Sequence, residues 1–134
     1  MIVVDTSAWI ELFRATGSPV HVRLRRALEE HEDVGVTEIV VAEVLAGARS
    51  AAHAEELRGV LLGFTLLPLR GLDGYERAAA LYRTCRAEGE TLRSIADCLV
   101  AVPAIEAGAP VLHADRDFAM LARHTRLEVV SVDT

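Results

Sequence analysis

The sequence has no lysine: all fourteen cationic side chains are arginine. Against twenty acidic residues they leave a formal charge of −6, the wrong sign for a protein that grips nucleic acid by bulk electrostatics. Arginine suits bidentate phosphate contacts, but genomic base composition accounts for an all-arginine chain just as well. Cysteine is nearly absent too. Cys85 and Cys98 are the only two; they form no CxxC pair, and both fall in helical-looking apolar stretches, as expected of reduced, buried thiols. Long apolar runs are missing: none approaches the roughly eighteen residues of a membrane span. No basic region precedes the short apolar run at the N-terminus, so no signal peptide is expected and a cytoplasmic location is the default. No Pro/Gly/Ser-rich linker, low-complexity tract or solenoid repeat divides the chain. The 134 residues, 51% hydrophobic and 25% charged, therefore read as one domain spanning 1–134.

What is present is an alternation of short apolar runs with helical patterns. Ile2-Val3-Val4 has the side chains of a fully buried strand, and 7–13 reads as a helix. Ser18 followed by Pro19 starts a second helix, running to about His31. Residues 33–36 are briefly β-like. Thr37 is expected to cap a helix through EIVVAEVLAG, and a further helix covers about 51–62. FTLLPL at 64–69 reads as a strand, 71–88 as a helix, and Ser94 opens a helix to about Ala107 with Gly108 as its stop. A strand at 111–113, a helix at 115–124 and a last strand at 127–132 complete the chain. The pattern predicts an α/β fold with a mostly parallel sheet of roughly five strands. Pro103 contradicts its own helix, since it removes one backbone hydrogen bond and bends the axis.

Acidic residues recur where such a fold puts its ligand site, outside the carboxyl ends of the strands. Asp5 follows the first strand directly. Asp115 and Asp117, in LHADRDF, follow the strand at 111–113, and Asp97 lies in the first turn of the helix opened by Ser94. Each has a purely structural explanation. Asp5, Asp115 and Asp117 suit helix N-termini, and Ser94-x-x-Asp97 has the spacing of a capping box. Glu43 is harder to place, because counting by three and four reaches Ile39, Val40, Ala46 and Gly47, an apolar face. It is either a paired or snorkelling surface glutamate or a functional acid. If the fold gathers these carboxylates they repel, by ~4 kcal/mol for a pair ~4 Å apart at an effective dielectric of ~20. Either they stay apart, or some hold protons, or cations sit among them. An all-oxygen ligand set favours Mg²⁺ or Mn²⁺. Zinc is disfavoured, since none of the five histidines lies three or four residues from another. His113 either approaches the acids or merely ends its strand.

Four segments together resemble a known family. MIVVDTSAWIELF, TEIVVAEVLAG, SIADCLVAVPAIEAG and VLHADRDFAML, in that order and spacing, are similar to the PIN-domain ribonucleases, and most of all to the VapC toxins of bacterial toxin–antitoxin pairs. The resemblance covers nearly the whole chain. It implies a three-layer α/β/α sandwich and a Mg²⁺- or Mn²⁺-dependent endoribonuclease. Asp5, Glu43, Asp97 and Asp115 match the family's acidic quartet, Asp117 an accessory metal-binding acid, and Thr6 or Ser7 the hydroxyl that helps hold the metal or its water. Pro103 departs from the family's unbroken helix.

With that site, hydrolysis of an RNA phosphodiester is expected, with Glu43 either binding metal or orienting the attacking water. Arg23, Arg25, Arg26, Arg83, Arg86 and Arg93 are candidate phosphate contacts or, taken singly, solvated helix faces. The resemblance implies a VapB-type antitoxin whose C-terminal segment enters the active-site groove and presents arginine to the acids. It also implies a homodimer, for which 34–48 and 57–69 offer apolar surface. Two alternatives stay open: a PIN-type RNA-processing nuclease without an antitoxin, and a non-catalytic α/β binding module whose acids are only helix caps. An acyl-phosphate enzyme would need a DxD pair after strand one, and position 7 is serine.

Overall fold

The structure, a computed structural model, describes residues 1–132. The elements run β1 (Ile2–Val4), α1 (Thr6–Phe13), α2 (Pro19–Glu29), β2 (Val34–Thr37), α3 (Glu38–Ala46), α4 (Ala51–Leu61), β3 (Thr65–Leu67), α5 (Leu72–Ala87), α6 (Ala96–Ala107), β4 (Val111–Leu112) and α7 (Asp117–His124). The four strands form one parallel sheet in the order β3-β2-β1-β4, flanked by helices. Ile2, Val3 and Val4 are buried because β1 is covered on both edges, pairing Val3 with Gly35 on one side and with Val111 on the other.

The strand expected at 127–132 is reduced to a single parallel bridge, Val111 to Val129, so the sheet has four strands rather than five. The cause is local. β4 is two residues long, and Val111 alone offers its outer edge, accepting from Val130 N–H and donating to Glu128 O. Helix α2 starts as its sequence prescribes, with Ser18 Oγ accepting from His21 N–H at 3.1 Å and Pro19 following. Thr37 occupies the N-cap of α3 but makes no capping hydrogen bond, and its Oγ1 is buried without a partner. Helix α6 continues through the buried Pro103 and stops where Gly108 adopts φ +63°.

Trp9 anchors one side of the core, fully buried, stacked 5.8 Å from Phe13 and with the tilted Phe64 ring 5.7 Å away. Phe118, Leu121 and Leu112 fill the side beside β4. Both cysteines are free and buried, and burial pushes the Cys98 thiol up to about 12. No helix among the described residues is long and apolar enough to cross a membrane.

Candidate active site

The strand order fixes where a crevice opens. The chain proceeds outward from β1 to β2 to β3 and then returns to the other side of β1 for β4. Connections from β1 and β4 therefore depart in opposite directions, and the gap at their carboxyl ends is where parallel α/β sheets bind ligands. Asp5 leaves β1 at that point, and Asp115 and Asp117 leave β4 beside it.

Asp5 is only 4% exposed. Its Oδ2 accepts from Ser7 N–H at 3.0 Å and from Ser7 Oγ at 2.6 Å, so it does cap α1. The cap and the crevice are the same position, because α1 begins where β1 ends. Ser7 Oγ in turn accepts from Ala114 N–H at 2.9 Å, tying the end of β1 to the loop that carries Asp115. Ser7→Ala removes both bonds at once and is expected to lower stability by about 1–2 kcal/mol. An unchanged urea midpoint would contradict that role.

Asp97, Asp115 and Asp117 each direct one carboxylate oxygen into a common space, all three within 4.8 Å of one another. Asp117, 1% exposed, accepts from Arg93 N–H at 2.9 Å through Oδ2, while its Oδ1 is buried without a hydrogen-bond partner. Asp115 Oδ1 receives Asp117 N–H at 3.0 Å, and this short turn starts α7. His113 follows β4, and its Nδ1 accepts from Asp115 N–H at 3.2 Å. Burial holds the imidazole below its ordinary value, which keeps Nδ1 free to accept.

Asp97 is not the second half of a capping box. Ile95 adopts a helical conformation at the N-cap, Ser94 Oγ accepts from Ala96 N–H at 3.1 Å, and the Asp97 carboxylate turns inward, 9% exposed. Desolvation, followed by repulsion from Asp115, Asp5, Asp117 and Glu43, raises its pKa to about 8. Burial likewise raises Asp5, against the lowering effect of Ser7. The acids do converge, with Asp5 outside the tightest trio but within electrostatic reach.

Glu43 corrects an expectation. It is exposed, on the rim of the crevice, and accepts from Thr6 Oγ1 at 2.7 Å. Val40 and Val44 are the buried residues of α3, a helix apolar nearly all the way round, so counting by three and four cannot choose its inner face. Beside Glu43 lies a cleft of about 380 Å³ walled by Ile10, Phe13, Val44 and Leu57, with Arg14 and His53 among its polar residues.

The residues suit a hard divalent cation. The donors are all oxygen, one buried carboxylate oxygen lacks a partner, and Asp97 is pushed up to about 8, first by burial and then by the neighbouring acids. The amino-acid sequence matches the PIN domain family over residues 2–132. It is 42% identical to ribonuclease VapC11 of Mycobacterium tuberculosis over 132 residues, 98% of each chain. The chain belongs to the PIN-domain family, among the VapC ribonucleases.

Solved structures share the fold of this PIN domain. FitAB bound to a DNA fragment superposes with a TM-score of 0.74 at 22% identity, over 97% of this chain and 94% of that one. A toxin–antitoxin complex from Klebsiella pneumoniae gives 0.67 at 22% identity, over 89% and 91%. Among the candidate phosphate contacts, Arg23 pairs with Glu32 at 3.0 Å, Arg25 approaches Glu29 at 3.8 Å, and Arg86 lies over the Tyr82 ring at 5.9 Å. Arg26 borders a separate depression with Pro19 and Val22, and Arg83 is exposed on α5. Arg93 alone of the six contacts the acids, with Nη2 donating to Asp115 Oδ1 at 2.6 Å. A pairing across 22 positions leaves no local trace in sequence, so the amino-acid pattern gave no sign of it.

Proposed function

We propose that this PIN domain is a Mg²⁺- or Mn²⁺-dependent endoribonuclease, the toxin of a two-component pair held in check by a VapB-type antitoxin. The observation that carries the proposal is the convergence of Asp97, Asp115 and Asp117 at the crevice between β1 and β4. Those three carboxylates would hold the cation, with Asp5 completing the negative field behind them. A divalent cation there would lower the pKa of a bound water and polarise the phosphate. Glu43, which accepts from Thr6 at the rim, would orient the attacking water and take its proton. In the in-line displacement a new O–P bond forms as the bond to the leaving 3′ oxygen breaks, and that oxygen takes up a proton. Ser7 keeps Asp5 and the Asp115 loop in register throughout.

An antitoxin segment fits the cleft beside Glu43, where an apolar strip on the segment would meet Ile10, Phe13, Val44 and Leu57. Phe13, 44% exposed, offers the surface such a segment would cover. The complexes named among the structural relatives favour this assignment over a processing nuclease without an antitoxin. Exposed Val60, Leu62 and Leu66 supply the apolar area for a homodimer.

The test is cleavage of total RNA together with thermal melts in the presence and absence of Mg²⁺. The wild type is expected to cut only with the metal and to melt higher with it. Asp5→Asn should fold and cut nothing. A wild type that gains no stability from Mg²⁺ or Mn²⁺ would overturn the proposal.

A further inference from the structure

Arg93 sits in the connection between α5 and α6, and the backbone of that connection is held from several sides. Leu92 is buried, Tyr82 Oη donates to its carbonyl at 3.3 Å, and Glu90 is clamped by Arg123 and by His124 at 2.6 Å. The Arg93 N–H adds a bond to Asp117 Oδ2. The side chain is free by comparison. It is 59% exposed and reaches back over the acids, Nη2 on Asp115 Oδ1 at 2.6 Å and Nε 3.6 Å from Asp117 Oδ1.

That second distance is too long for a hydrogen bond, which is why Asp117 Oδ1 stays unpartnered although a cation lies above it. The guanidinium therefore offsets part of the cluster's charge without satisfying it. It engages Asp115 and Asp117, two of the three acids that would hold a metal, so guanidinium and metal compete for the same carboxylates. Once detached, a planar guanidinium carried from a firmly held backbone at the mouth of the crevice matches a phosphodiester, whose two free oxygens accept its paired N–H groups.

We infer that Arg93 is the resident counter-cation of the acid cluster, displaced when a divalent cation binds and then available to hold the phosphate being cut. The inference rests on the metal-dependent assignment above. It assigns Arg93 two opposite effects. In the metal-free protein it steadies the carboxylates and lowers their affinity for the metal. In the loaded enzyme it tightens substrate binding. A residue of merely structural importance weakens both metal binding and catalysis when it is lost; this one trades them.

The experiment is calorimetric titration of Mn²⁺ into wild type, Arg93→Gln and Arg93→Lys, with cleavage rates measured in parallel. Arg93→Gln keeps the backbone bond to Asp117 and alters an exposed side chain, so the fold is retained. It is expected to bind Mn²⁺ about tenfold more tightly than wild type, to melt lower without metal, and to show a raised KM for RNA. Arg93→Lys, a point charge without the planar fork, should bind the metal with intermediate affinity and rescue KM only in part. Equal or weaker Mn²⁺ binding by Arg93→Gln overturns the inference, and if that variant melts too low to titrate, equal or weaker binding by Arg93→Lys does so. A wild type that binds no divalent cation overturns the metal-dependent assignment itself, which separates the two failures.

Discussion

Asp97→Asn is expected to give a protein that melts higher and cuts nothing. Asp97 is buried beside Asp5, Asp115, Asp117 and Glu43, and its pKa of about 8 means that the folded protein holds a proton there which the unfolded chain releases near 3.8. Between those two values the folded state binds the extra proton, so stability falls as pH rises, and above about 8 the whole penalty of a buried, repelled carboxylate is in force. Asparagine has nearly the same shape and no charge to lose. Its advantage should be close to nil near the acid end of that window and largest above its alkaline end, at about 3–5 °C of melting temperature for each kcal/mol of repulsion removed. Adding Mg²⁺ should narrow the gap, because the wild type gains from the metal more than the variant does. Melts across the pH range, with and without Mg²⁺, and cleavage of the same RNA check each step. A variant that melts no higher than wild type at alkaline pH would show that the acids do not repel as the geometry implies.

Gly74→Ala is expected to do the greatest damage to the fold itself. Gly74 is buried in the first turn of α5, and a methyl group there would stand 2.0 Å from the Leu69 carbonyl oxygen and 2.6 Å from Leu69 Cγ. Backbone, not a flexible side-chain tip, is in the way. Leu69 is itself a core residue, and its N–H donates to Glu38 Oε1 at 2.8 Å. Moving it aside opens the core under α5 and breaks the tether to the start of α3. A loss of about 3 kcal/mol or more is expected, which for a chain of this size lowers the melting temperature by about 10 °C or more. A variant melting within about 2 °C of wild type would mean that the 68–71 turn yields far more easily than its packing suggests.

Much of this architecture is legible in the amino-acid order because local chemistry and tertiary demand agree. Ile2–Val4 could only be buried, and the Ser18-Pro19 start and the Gly108 stop work through their own backbone geometry. Legibility ends where one local pattern serves two ends. Ser94 and Asp97 have the spacing of a capping box, yet Ile95 takes up the helical turn one residue late and frees Asp97 to face the crevice. Asp5 is both things at once, a cap for α1 and a member of the acid group. Glu43 could not be oriented from a helix with apolar residues on every side, and the chain around 127–132 has strand-like residues but only one partner residue to pair with. The acids themselves stood out in sequence. That Asp117 would be among the most buried of them, and that Arg93 would lie across Asp115, depended on contacts more than twenty positions apart.

Those long reaches bear on when activity first exists. Asp5 is made more than a hundred residues before β4, the strand that flanks it, and before the acids beyond β4. Until β4 has emerged and paired, Asp5, Glu43 and Asp97 stand in a nascent chain without Asp115 and Asp117. Fragments cut short upstream of Asp115 therefore lack two of the three carboxylates, Asp97, Asp115 and Asp117, on which the proposed metal site rests.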